Sequence, residues 1–171
     1  MVGLTSVFSS CNPCCHFSRL GVSYSRWCPG ECENLCECCC ETPAYAYLTQ
    51  LAPLVLEANA PMPFTGPGVL SSGMERTDGL LTLPGPCVYL VRYQMHVGFD
   101  TPNAALFSLR LDGEDIPGTR QGAPAGVTTI SAEAIIEVCD TATLGLFSTN
   151  GINLPASKAG IAVATMTVIG L

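Results

Sequence analysis

The stretch ECENLCECCCE, residues 31–41, ends in three adjacent thiols, Cys38, Cys39 and Cys40, fenced by Glu37 and Glu41. Neighbouring Cα atoms across a trans peptide lie ~3.8 Å apart, below the ~4.4–6.8 Å that a relaxed disulfide spans, so adjacent cysteines rarely bridge each other. Each needs a partner elsewhere, either a shared metal ion or a disulfide reaching outward within the chain or to another chain. Cys11, Cys14 and Cys15 in CNPCC, together with Cys28, Cys32 and Cys36, bring nine of the eleven cysteines into the first forty residues. Only Cys87 and Cys139 come later.

Metal is the rival of the disulfide reading. Zinc sites favour C-x-x-C pairs set apart by a definite spacer. Here the pair Cys11 and Cys14 is followed by the wider Cys28 and Cys32 and by a crowded CECCC, which gives no tidy tetrahedral set. A polynuclear thiolate cluster tolerates such crowding, and His16 could join it. CNPCCH misses the C-x-x-C-H haem attachment by one inserted cysteine. Glu31, Glu33, Glu37 and Glu41 raise the pKa of nearby thiols and slow thiolate attack, which argues against a fast redox catalyst and for durable cross-links. We expect no cofactor and no dedicated metal site.

Nothing else in the chain assembles into catalytic machinery, and we expect a protein that is not an enzyme. There are two histidines, and His96 falls on the polar side of a strand, where a surface or subunit-contact role is expected. Neither G-x-S-x-G nor a phosphate loop occurs, and GVLSSG at 68–73 lacks the lysine and spacing of one. Asp112, Glu114 and Asp115 in DGEDIPG could hold calcium but read first as a solvated hairpin. Trp27 is expected to be a packing aromatic of the arm.

The elements that would carry these residues fall into two unlike parts. Residues 1–43 are rich in Cys, Gly, Ser, Pro and Asn without apolar periodicity, so they form an arm that builds no core of its own. Forty extended residues reach on the order of 130 Å, against a radius of gyration of roughly 14 Å for a globule of the remaining size. From residue 44 to 171, short apolar runs alternate with Gly, Pro, Asn and Asp turns, the pattern of an all-β sandwich. In CVYLVRYQMHVGF (87–99), Tyr89, Val91, Tyr93, Met95, Val97 and Phe99 share one face while Arg92, Gln94 and His96 take the other. AALFSLRLDGED (104–115) and GVTTISAEAIIEVCD (126–140) repeat the alternation. The last strand, GIAVATMTVIGL (160–171), is apolar on both faces, as a central strand or one facing a partner subunit would be. Residues 47–64 and 74–86 supply opening strands whose prolines favour sheet edges.

Composition narrows the partners. Seven Lys and Arg against fourteen Asp and Glu leave a net charge of −7, the wrong sign for nucleic acid or an anionic membrane surface. Charged residues make up 12% of the chain, about half the ~25% usual for a soluble domain, and apolar residues reach 48%. So few charges cover a monomer poorly, and burial between copies of the chain is expected. No run approaches the ~18 apolar residues of a membrane-spanning helix, and MVGLTSVFSSC lacks the basic start of a secretory signal.

The order APMPF, GLLTLPGPCVYLVRYQMHV, LFSLRLDGEDIPGTRQG, ISAEAIIEV, TLGLFSTNG and ATMTVIGL resembles the C-terminal domain of the collagen-like exosporium glycoproteins of spore-forming bacteria, over roughly residues 50–171. The resemblance implies a tumour-necrosis-factor-like jelly-roll sandwich that trimerises around aromatic and aliphatic side chains, with Tyr89, Tyr93, Met166 and Val168 expected at the oligomer interface. The collagen stalk is absent and the cysteine arm stands in its place, while CNPCC is similar to the N-terminal connectors of endospore appendage subunits. Together these imply a structural, self-assembling spore-surface protein of the exosporium or an appendage fibre. It would be made in the mother-cell cytoplasm without a signal peptide, as a trimer or filament cross-linked by disulfides and associated with other coat or exosporium proteins.

In the resembling fold the strands bearing Cys87 and Cys139 pair antiparallel, which brings the two cysteines close. Their parities differ, so a direct bond needs a bulge or a strand end. Capture by a neighbour's arm cysteines and two unpaired buried thiols remain the alternatives. The second reading of the whole is a trimeric tip module that binds carbohydrate or another surface.

Overall fold

The computed structural model describes residues 6–7, 44–97, 105–123, 129–154 and 161–171. The nine arm cysteines, His16 and Trp27 lie outside these residues, and with them the expectations placed on the arm. All regular structure among the described residues is β. Alternating sequences cannot bury a single face as helices, and the chain instead stacks two sheets with their apolar faces inward.

The strands in chain order are β1 (Ser6–Val7), β2 (Tyr45–Gln50), β3 (Leu54–Leu56), β4 (Val69–Leu70), β5 (Glu75–Thr77), β6 (Leu80–Leu83) and β7 (Cys87–His96). They continue with β8 (Ala105–Leu111), β9 (Glu114–Asp115), β10 (Gln121–Ala123), β11 (Thr129–Val138), β12 (Ala142–Ser148), β13 (Ile152–Leu154) and β14 (Ala164–Gly170). The first sheet runs β1-β11-β7-β14-β2-β4 and the second β10-β8-β12-β6-β5, with β9 hairpinned onto β8; β3 and β13 form a separate pair.

β7 and β11 pair over ten residues, from Thr129 opposite His96 to Val138 opposite Cys87. β14 lies between β7 and β2, antiparallel to both, as its two apolar faces required. Tyr93 sits in register between Ala132 of β11 and Met166 of β14. The small alanine leaves room for the ring. From the other sheet Phe107, Leu109, Leu144 and Leu146 meet this layer, all fully buried.

The Asp112-Gly113 turn has φ of 50° and 87° and closes a two-residue hairpin that pairs Leu111 with Glu114. Positive φ at both positions gives the primed turn whose twist matches the flanking strands. Asp78-Gly79, with φ of 51° and 82°, does the same between β5 and β6. Residues 74–86, expected to supply opening strands, form the β5–β6 hairpin. Of the strands in these opening segments, β5 is a sheet edge, whereas β2 lies one place in from its edge.

Candidate assembly face

Each strand of the first sheet turns every second side chain away from the core, and the antiparallel register aligns these outward side chains in rows. One row runs Ile135, Leu90, Ile169, Tyr45 across β11, β7, β14 and β2. Beyond it Val88 stands opposite Glu137, and the Leu171 N–H donates to the Val88 carbonyl at 2.9 Å. On the other side the next row is Glu133, Arg92, Thr167, Tyr47 and Val69. After it come Ser131, Gln94, Thr165 and Thr49, then Thr129 and His96. The face is therefore zoned, with an apolar band at one end and a polar field at the other.

Exposure makes the band notable. Tyr45 is 46% exposed, Ile169 44% and Leu171 56%, in a chain that also leaves Tyr47 at 45% and Val69 at 54%. Single apolar residues on a surface are ordinary, but a contiguous band across adjacent strands marks a contact site.

The residues expected at the oligomer interface are not part of it. Tyr89, Tyr93, Met166 and Val168 are each 0% exposed within the single chain. They share the inward parity of β7 and β14, so they fill the chain's own core and have no surface left to offer a partner. The Tyr93 hydroxyl donates to the Thr119 carbonyl at 2.9 Å, and the Tyr89 hydroxyl to the Pro84 carbonyl at 2.5 Å. Burial raises the pKa of both phenols above the usual tyrosine range. The outward apolar residues of β7 carry a signal in the sequence that the alternation alone did not bring out, Val88 and Leu90 sharing parity with Arg92, whereas Ile169 and Leu171 of β14 belong to the second apolar face expected of a central or partner-facing strand.

His96 lies in the polar field, its Nδ1 3.1 Å from the Thr129 hydroxyl. Two carboxylates of the acidic DGED turn are engaged, those of Asp112 and Asp115. Asp112 Oδ1 accepts from the Thr143 N–H at 2.7 Å and from its hydroxyl at 3.0 Å. Asp115 accepts from Arg110 at 2.7 Å and Ser108 at 2.9 Å, and the Arg110 hydrogen bond holds its carboxyl below the usual range. Among the described residues no group of three or more potential ligands is placed to hold a metal.

Cys87 opens β7 and is buried, and its register partner Val138 is the last residue of β11, directly before Cys139. The two cysteines thus flank a strand end, and the Asp140 backbone packs so close to Gly85 that no Cβ fits between them. Neither Cys87 nor Cys139 is a free thiol, which removes the reading of two unpaired buried thiols.

No protein-family model matches the chain, and no curated protein is similar to it. Solved structures do match. The Eiger TNF of S. frugiperda superposes with a TM-score of 0.53 at 14% identity, covering 75% of this chain and 91% of that one. The fold is a tumour-necrosis-factor-like jelly roll. Rabbit GITRL (TM-score 0.47, 11% identity, 75% of this chain and 93% of that one) and murine APRIL (0.49, 13%, 76% and 100%) also match.

Proposed function

We propose that this chain is a self-assembling structural protein of a bacterial spore surface, exosporium or appendage fibre, without enzymatic activity. Its jelly roll associates with copies of itself through the apolar band of the first sheet, and its cysteine arm cross-links the associated subunits. The observation that carries the reading is the in-register row Ile135, Leu90, Ile169 and Tyr45, extended by Val88 and Leu171. A composition of 12% charged and 48% apolar residues points the same way. Burial of the band would set the geometry, and disulfides would then prevent dissociation until reduced. The spore-surface location rests on the resemblance of residues 50–171 and of CNPCC to exosporium and appendage proteins.

Electrophoresis of the native assembly with and without reductant, alongside electron microscopy, tests the cross-linking. Heat-stable ladders that collapse only on reduction are expected. A monomer in both lanes contradicts the proposal.

A further inference from the structure

The polar field beside the apolar band contains a shallow groove of about 270 Å³, lined by Tyr47, Arg92, Tyr93, Gln94, Thr165 and Thr167. Tyr93 contributes the floor, since its ring is buried in the core. The other five are the outward side chains of β2, β7 and β14, adjacent strands held in continuous register. A groove built on paired central strands is fixed before any ligand arrives, which lowers the entropy lost on binding.

Among the described residues the polar groups in the groove have no partner. The ion pair among the described residues is Arg110 with Asp115, and Arg92 takes no part in it. Glu133 is the register partner of Arg92, yet it does not line the groove and does not bridge to the guanidinium. Among the described residues the side chains of Arg92, Gln94, Thr165, Thr167 and Tyr47 make no hydrogen bond. An unpaired guanidinium, an amide, two hydroxyls and a half-exposed aromatic ring thus converge on one small space.

We propose that this groove binds one acidic sugar residue of a glycan, of the uronic or sialic type. The planar fork of Arg92 matches a carboxylate through two parallel N–H···O bonds. Gln94 and the two threonines both donate and accept, as ring hydroxyls require. The Tyr47 ring offers an apolar surface to the C–H face of a pyranose while its hydroxyl stays wet. The volume falls below the ~300–1,000 Å³ of pockets that enclose drug-sized ligands, which fits a single ring with the rest of the glycan outside. Phosphate fits less well: the groove holds no lysine, and the backbone N–H groups of β7 and β14 are spent in the ladder, leaving no nest for it. With a net charge of −7 the molecule does not draw anions in general, so selection rests on Arg92 alone.

The site is independent of the assembly reading, because the groove and the apolar band occupy different rows of the face. Calorimetric titration of the full chain with N-acetylneuraminate, glucuronate and glucose tests it, with light scattering on the same samples. Saturable binding of at least one acidic sugar and none of glucose is expected. Arg92→Gln should weaken it roughly tenfold or more, the effect of losing a charge-assisted pair. Ile169→Ser, in the apolar band, should reduce assembly and leave sugar binding unchanged. The proposal is overturned if neither acidic sugar binds, if glucose binds equally well, or if Arg92→Gln binds like the parent.

Discussion

The Tyr93 hydroxyl crosses from the first sheet to the Thr119 carbonyl, and Thr119 in turn holds the Ile116 carbonyl and the Leu109 N–H at 2.7 and 3.1 Å. Replacing Tyr93 with Phe leaves a buried carbonyl short of a donor and should cost about 1 kcal/mol in a denaturant titration. The same residue governs alkaline behaviour. Its pKa in the folded chain lies above the unfolded value of ~10, so the stability present below pH ~10 is lost as pH rises toward the folded-state value. Tyr93→Phe should flatten the stability-versus-pH curve above pH ~10. Asp115 has the opposite sign. Its carboxyl is held below the unfolded value by Arg110, so its contribution is present at neutral pH and disappears as pH falls through the folded-state value. Asp115→Asn should therefore change stability at pH 7 and leave the acid end of the curve nearly superimposable on that of the parent. A difference between the two that persists undiminished into acid would contradict this assignment.

At the level of strands, alternation was readable because side chains in a strand repeat every two residues and the core accepts one parity. The inward sets of β7 and β11 follow directly from the spacing of Tyr89, Val91, Tyr93 and Met95 and of Ile130, Ala132, Ala134 and Ile136. Asp112-Gly113 was readable for a similarly local reason, the positive φ that the turn demands. Register was not readable, since it depends on which strands become neighbours, and the assembly face exists only once β11, β7, β14 and β2 are aligned. The family resemblance placed Tyr89 and Tyr93 at an interface, although parity with Val91 commits them to the interior. The groove was hidden for the same reason: Tyr47, Arg92 and Thr167 are far apart in sequence and meet only through two ladders. The two faces of β14 now make separable predictions. Met166→Ala empties a buried site and should lower stability by about 2–5 kcal/mol without changing the mass of the assembly. Ile169→Ser, two residues from Thr167 and on the outer side, should lower the mass while leaving the unfolding midpoint of the dissociated chain close to that of the parent.

For the whole molecule, the proposed assembly joins sparse charge, a zoned sheet face and a thiol-rich N-terminal sequence: on that reading, apolar area left open by the fold would be covered by other copies of the chain. The proposed contact and the proposed covalent link are physically distinct, so reductant would remove one and mutation of the band the other. Light scattering of the full chain in reductant isolates the contact and tests the central claim most directly. The parent should form a defined multimer that persists when every disulfide is reduced, and Leu90→Ser with Ile169→Ser should shift it to the monomer mass. A parent that is already monomeric in reductant, or a double variant with undiminished mass, would contradict the assignment of the first sheet's apolar band as the surface of assembly.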